Sequence, residues 1–142
     1  MLFFCINSQT AVADSTFDSF TYTDDGSEIT ITGYIGSDAN ITIPSVIEGK
    51  PVTKIGVAAF MNNSILTSVS MPNVTYIGRA GFYACDNLTS VSMPKVTHID
   101  EGAFSSNRSL TSVSIPNAIT LGMFAFNSCV NLTSISMPNV IT

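Results

Sequence analysis

The stretch MPNVTYIGRAGFYACDNLTSVS, residues 71–92, decides the fold because the chain writes it again. The next 22 residues read MPKVTHIDEGAFSSNRSLTSVS (93–114), and the 22 after those read IPNAITLGMFAFNSCVNLTSIS (115–136). A shorter version, VTKIGVAAFMNNSILTSVS (52–70), comes before them, and MPNVIT follows. Phe60, Phe82, Phe104 and Phe126 therefore recur at one interval, as do Leu66, Leu88, Leu110 and Leu132. A fixed period of this length is the mark of a stacked repeat.

Within a unit, Val91 and Met93 alternate with Ser90 and Ser92, the period-2 pattern of a strand with one buried face. Pro94 has no N–H to give a ladder, so it ends the strand and turns the chain. VTYIG (74–78) reads as a second short strand closed by Gly78. RAGFYACDN (79–87) is rich in small residues around one large anchor, Phe82, and suits one or two helical or 3-10 turns. Turns that short do not hold together alone. A single unit buries too little to offset the entropy of ordering it, whereas stacked copies share strand hydrogen bonds and cover each other's faces. The expected fold is a right-handed repeat solenoid of leucine-rich-repeat-like form. It is mostly parallel β, with coils about 4.8 Å apart.

Residues 52–142 are assigned to the repeats. Ahead of them, FTYTDDGSEITITGYIGSDANITIPSVIEGKPVTKIG alternates at Phe20/Tyr22, Ile29/Ile31 and Ile41/Ile43, with turn signals at Asp25-Gly26 and Gly36-Ser37. This predicts a β-hairpin and a third strand, and residues 17–51 are read as an N-terminal β cap covering the first coil. Residues 1–16 read as a signal-peptide remnant or a disordered N-terminus. They hold a short apolar run from Leu2 to Ile6, then Ala-Val-Ala at 11–13 in the pattern of a cleavage site. No equivalent cap follows Ile135, so that edge is open to further repeats or to self-association with another chain.

Charged residues make up 11% of the sequence, under half the usual share of about 25%. Seven of the ten acids fall within residues 14–48, and the five Lys and Arg are scattered. That distribution excludes the basic stripe a nucleic-acid partner requires. No apolar run approaches the ~20 residues of a membrane span. Cys85 and Cys129 hold equivalent positions two coils apart, about 10 Å by the coil spacing, beyond the ~7 Å limit for a disulfide. With Asn63 and Asn107 they form an alternating Asn–Cys column of buried small residues.

The blocks built on Ile77-Gly78, Phe82, Cys85 and Leu88 to Pro94, repeated with one spacing, resemble the BspA-type, or Treponema pallidum-type, leucine-rich repeat family. The leader EITITGYIGSDANITIPSVIEGKPVTKIGVAAF (28–60) is similar to the segment that commonly opens such proteins. The resemblance covers residues 17–142. The units here run 22 residues where the family often has 23. It implies secretion or display at the cell surface, and adhesion to extracellular matrix or host-cell surface proteins.

Catalytic and metal chemistry finds little support. His98 is the single histidine, with Asp100 two residues on and Tyr76 and Thr120 expected on the flanking coils. Thr120 has no evident activation, and a solvated strand histidine is the better account. One His and two separated Cys do not supply three or four metal ligands. Asp24-Asp25-Gly26 lacks calcium-loop spacing and reads as a hairpin turn. No cofactor is implied.

Two surfaces remain as candidate binding sites. One is the strand face of Ser68, Ser70, Ser90, Ser92, Ser112, Ser114, Ser134 and Ser136. The other is the more varied face of Lys54, Tyr76 and His98, with Lys95 nearby. The serine face spans roughly 320 Å² over four strands, against about 800 Å² per partner in a standard interface. Asn40, Asn62, Asn73, Asn87, Asn107 and Asn131 fit the N-glycosylation sequon, which matters only in a eukaryotic secretory route. The sequence thus points to a non-enzymatic adhesion or recognition module; the alternative is a structural spacer or self-assembling repeat that displays other domains.

Overall fold

The prolines and serines that punctuate the repeat become the corners and one side of a three-sided coil. The structure, a computed structural model, describes residues 14–141. Residues 1–13, and with them Cys5 and the Ala-Val-Ala pattern, lie outside that range.

Strands β1 (Ser15–Phe17), β2 (Phe20–Asp24) and β3 (Ile29–Tyr34) form an antiparallel meander. The first begins inside the segment 1–16. The β2–β3 turn uses Gly26 at φ 97°, a conformation open to glycine. The Asp24 carboxylate accepts the Gly26 N–H at 2.7 Å, and that of Asp25 accepts the N–H groups of Ser27 and Glu28 at 2.9 Å. Strand β3 then pairs in parallel with β6 (Lys50–Ile55), which also takes β5 (Val46–Ile47) in antiparallel register. The cap is therefore continuous with the solenoid, because β3 serves as its first rung.

From β6 the sheet continues in parallel through β8 (Tyr76–Ile77), β10 (His98–Ile99) and β12 (Thr120–Leu121). Its register is Lys54, Tyr76, His98, Thr120 on one side, and Ile55, Ile77, Ile99, Leu121 on the other. The serine strands make the second side. Here β4 (Asn40–Thr42), β7 (Ser68–Ser70) and β9 (Ser90–Ser92) form one parallel ladder, and β11 (Ser112–Ser114) and β13 (Ser134–Ser136) form another. The gap between β9 and β11 coincides with a change at the corner. Asn87 and Asn131 each donate from Nδ2 to a carbonyl one coil back, at Ser64 and Arg108, both at 2.7 Å. Ser109 occupies the matching position in the coil between them and is too short to do the same.

The third side departs from expectation: the helical or 3-10 turns read around Phe82 are absent, and no helix occurs among the described residues. The backbone hydrogen bonds give the reason. The N–H groups of Ala58, Phe60 and Asn62 donate to Arg79, Gly81 and Tyr83 carbonyls on the next coil, at 2.8–3.0 Å. Those of Ala59, Met61 and Asn63 close turns within their own coil, onto Gly56, Ala58 and Phe60. A helix would direct every N–H along its own axis and leave the neighbouring coil unbonded. Alternation requires every other peptide to reverse, and left-handed φ values recur for that purpose. They fall at Ala58, Ala80, Gly102 and Phe124 (54–60°) and at Asn62, Ala84, Ser106 and Ser128 (54–64°). Coils approach closely here: a Cβ added to Gly122 would lie 2.4 Å from the Glu101 nitrogen.

Inside, the anchors form a column. Successive rings of Phe60, Phe82, Phe104 and Phe126 stack at 4.7, 5.2 and 5.3 Å, within 6° of parallel. Tyr34 and Phe20 extend the column into the cap. Leu66, Leu88, Leu110, Met71, Met93, Ile77 and Ile99 fill the rest of the core, while Val91, beside the interrupted ladder, is only half-buried.

Candidate functional site

The serine face forms as its strand register requires. Ser90, Ser92, Ser112, Ser114, Ser134 and Ser136 are exposed, and Ser68 and Ser70 are half-buried. Asn40 and Thr42 add a first rung, and the Asn40 side-chain oxygen accepts hydrogen bonds from Ser68 Oγ at 2.6 Å and Thr67 Oγ1 at 2.9 Å. These hydroxyls present no large side chain and sit on a flat rung spacing.

The varied strand face is already occupied by internal contacts. Lys54 is ion-paired with Glu28, whose carboxylate also accepts from Thr53, and Lys50 is paired with Asp24. The Lys54 ammonium holds the Glu28 carboxyl below its usual range, and Glu28 in turn raises Lys54. The Asp25 carboxyl drops to about 2, chiefly because the Glu28 and Ser27 backbone N–H groups bond its charged form. Tyr76 donates its hydroxyl to Asp100 at 2.9 Å, and that bond raises its pKa. Asp100 thus serves Tyr76, whereas the His98 Nδ1 lies 2.8 Å from its sequence neighbour, Thr97 Oγ1. The structure does not assemble a His98–Asp100–Thr120 relay. Lys95 donates to the Asn73 side-chain oxygen at 2.7 Å.

The sequon asparagines divide. Asn40, Asn62, Asn87 and Asn131 are exposed and Asn73 is half-buried, but Asn107 is fully buried, with 0% exposure. Its amide donates to the Phe82 and Phe104 carbonyls at 3.0 and 2.9 Å and accepts the Cys85 N–H at 2.9 Å. Asn107 is therefore withdrawn as an acceptor for a glycan in the folded chain. Cys85 and Cys129 are free thiols that donate to the Phe60 and Phe104 carbonyls at 3.0 and 3.1 Å. Burial pushes the Cys85 thiol up to about 12 and raises Cys129, so neither is poised as a nucleophile.

The turn side carries what neither strand face offers. Each coil turns its anchor Phe and the residue before it toward the interior, and the residues flanking that pair form columns on the outer side. One column reads Val57, Arg79, Glu101, Met123, and another Met61, Tyr83, Ser105, Asn127, of which Ser105 is buried. Between them lie Ala58, Ala80, Gly102 and Phe124. All of these except Met123 line an open cavity of about 600 Å³. Val57, Met61, Tyr83, Met123 and Phe124 all show apolar surface to solvent. Sequence reasoning missed this face because it expected short helical turns there and did not compare the residues flanking the Phe between copies. The signal was present all the same: these positions change from copy to copy, while the Phe between them does not.

Comparison with known proteins bears on this geometry. The family profile for the BspA type leucine-rich repeat region matches residues 34–142 in six copies. The chain belongs to the BspA-type leucine-rich repeat family. Among solved structures, a leucine-rich repeat protein from Bacteroides capillosus superposes with a TM-score of 0.77 at 27% identity, over 87% of this chain and 97% of that one. The T. pallidum leucine-rich repeat protein gives 0.69 at 28% identity, over 86% of this chain and 70% of its own. A leucine-rich cell surface protein from Faecalibacterium prausnitzii gives 0.65 at 30% identity, over 88% of this chain but only 42% of its own. No curated protein matches the sequence significantly. Among the described residues, no helix is long and apolar enough to cross a membrane.

Proposed function

We propose that this BspA-type chain is a non-enzymatic recognition module, displayed at the cell surface or secreted, that adheres to extracellular matrix or host-surface proteins. The observation carrying this reading is the turn side. There Tyr83, Arg79, Met61 and Phe124 stand on turns that are hydrogen-bonded to the adjoining coils, and they differ between repeats. Aromatic residues and Arg are the types that dominate binding energy, and a scaffold that does not deform loses little entropy on contact. A cell-surface relative supports the location: the F. prausnitzii structure is described as a cell surface protein.

The test is surface-immobilised laminin and collagen titrated with the purified chain. Saturable binding weakened by Tyr83→Ala, and indifferent to Ser112→Ala, is the expected result. Absence of saturable binding to any matrix or host-cell protein preparation sinks the adhesion reading.

A further inference from the structure

The floor of the turn-side cavity is the column Ala58, Ala80, Gly102, in which no side chain extends beyond Cβ. At about 4.8 Å per coil it spans roughly 10 Å between its first and third members. In the fourth coil the same column holds Phe124, 63% exposed and at φ 60°. A bulky residue in the left-handed region is a true outlier, and strain of that kind concentrates at ligand-binding positions. The neighbouring copies show that Ala or Gly satisfies the fold at this point. A large ring is held here at a conformational cost, and it closes one end of the trough.

The walls specify what fits. Arg79 and Glu101 stand on adjacent coils of one wall, and neither takes part in the ion pairs found among the described residues. Five guanidinium donors therefore sit beside carboxylate acceptors, with no net charge between them. Tyr83 supplies an aromatic surface and a hydroxyl from the opposite wall. An anion would meet Glu101 and a cation would meet Arg79, so the pair favours a neutral ligand rich in both donors and acceptors. Along the floor a peptide main chain finds no ladder to join, because the N–H groups of Ala58, Ala80 and Gly102 already donate to the carbonyls of the next coil.

We infer that this trough binds a neutral saccharide, the sugar's C–H face against Tyr83 and Phe124 and its hydroxyls on Arg79 and Glu101. About 600 Å³ is ample for a disaccharide and typical of small-ligand sites. The inference rests on the recognition reading above and names the chemistry recognised: the glycan of a host or matrix glycoprotein.

The experiment has two arms. In the first, maltose, cellobiose and lactose are titrated calorimetrically against the wild-type chain and three variants. At least one sugar gives saturable heat, weakened about tenfold or more by Tyr83→Ala and by Arg79→Met. Phe124→Gly loses binding while its melting temperature rises, which separates a ligand role from a folding defect. Sugar binding that survives Tyr83→Ala or Phe124→Gly unchanged, or silence from all three sugars, overturns the assignment. In the second arm, laminin is presented before and after enzymatic removal of its N-glycans. Binding lost with the glycans supports the saccharide. Equal binding to both forms overturns it and leaves protein recognition standing. Sugar binding without laminin binding keeps the saccharide site and removes the adhesive role.

Discussion

Two sides of the same coil repeat in opposite ways. On the serine side the exposed residues agree from copy to copy, Ser-Val-Ser three times and then Ser-Ile-Ser, although solvent imposes little on them. On the turn side the buried residues agree and the exposed ones diverge, so that Val57, Arg79, Glu101 and Met123 share one position. The strand side spends its backbone on simple parallel ladders that small side chains do not disturb. The turn side has alternating left-handed residues, the Phe column and the Asn–Cys column fixed beneath it, and that fixed interior is what lets its surface vary. Repetition in the interior marks the scaffold; variation above it marks the part free to be specific.

The most damaging way to break this contrast is to remove a ring from the column. Phe104 is fully buried between Phe82 and Phe126, with ring centroids 5.2 and 5.3 Å away. Phe104→Ala leaves a cavity that backbone-bonded coils close poorly, and should cost about 3–5 kcal/mol. Urea denaturation followed by circular dichroism reads this directly. A loss under about 1 kcal/mol would mean that the turns, not the column, hold the third side together.

A sharper version concerns the alternating polar column. Asn107→Leu removes the acceptor of the Cys85 N–H and the donor to the Phe82 carbonyl, and a buried orphan group costs about 1–3 kcal/mol. The total should reach about 2–3 kcal/mol, below the Phe104 loss. Asn107→Cys copies the neighbouring coils, where thiols donate to Phe60 and Phe104 carbonyls. It should recover part of that loss in the same denaturation series. If Cys performs no better than Leu, the column is a packing feature and its hydrogen bonds are incidental.

Much of this was legible in the residues. The period placed Leu66, Phe82 and Met93 in the core, set His98 beside Tyr76 and Thr120, and kept Cys85 from Cys129. Strands β2, β3 and β4 followed from alternation at Phe20/Tyr22, Ile29/Ile31 and Ile41/Ile43, although β4 joins the serine ladder rather than the meander. Three things were not legible. The turn segment carries composition typical of a short helix, and only inter-coil hydrogen bonding, a non-local term, overrides that preference. The sequon at Asn107 is identical in pattern to the one at Asn87, and only burial distinguishes them. The trough emerges where three columns lie side by side, so its side chains are 22 residues apart in sequence and adjacent only after stacking.

The smallest effect tests the other half of the comparison. Ser112 and Ser114 are exposed on β11, beside the interrupted ladder, and neither side chain forms a hydrogen bond within the described residues. Their hydroxyls are solvated in folded and unfolded chain alike, so replacing them removes no net interaction. Ser112→Ala with Ser114→Ala should therefore change stability by no more than about 0.5 kcal/mol, and leave binding on the turn side untouched. Urea denaturation and a laminin titration of the double variant check both statements. A loss of laminin binding at unchanged stability would reverse the reading of the two sides: agreement between copies would then mark the recognition surface, and the varied residues around Tyr83 would be ordinary drift on a solvated turn.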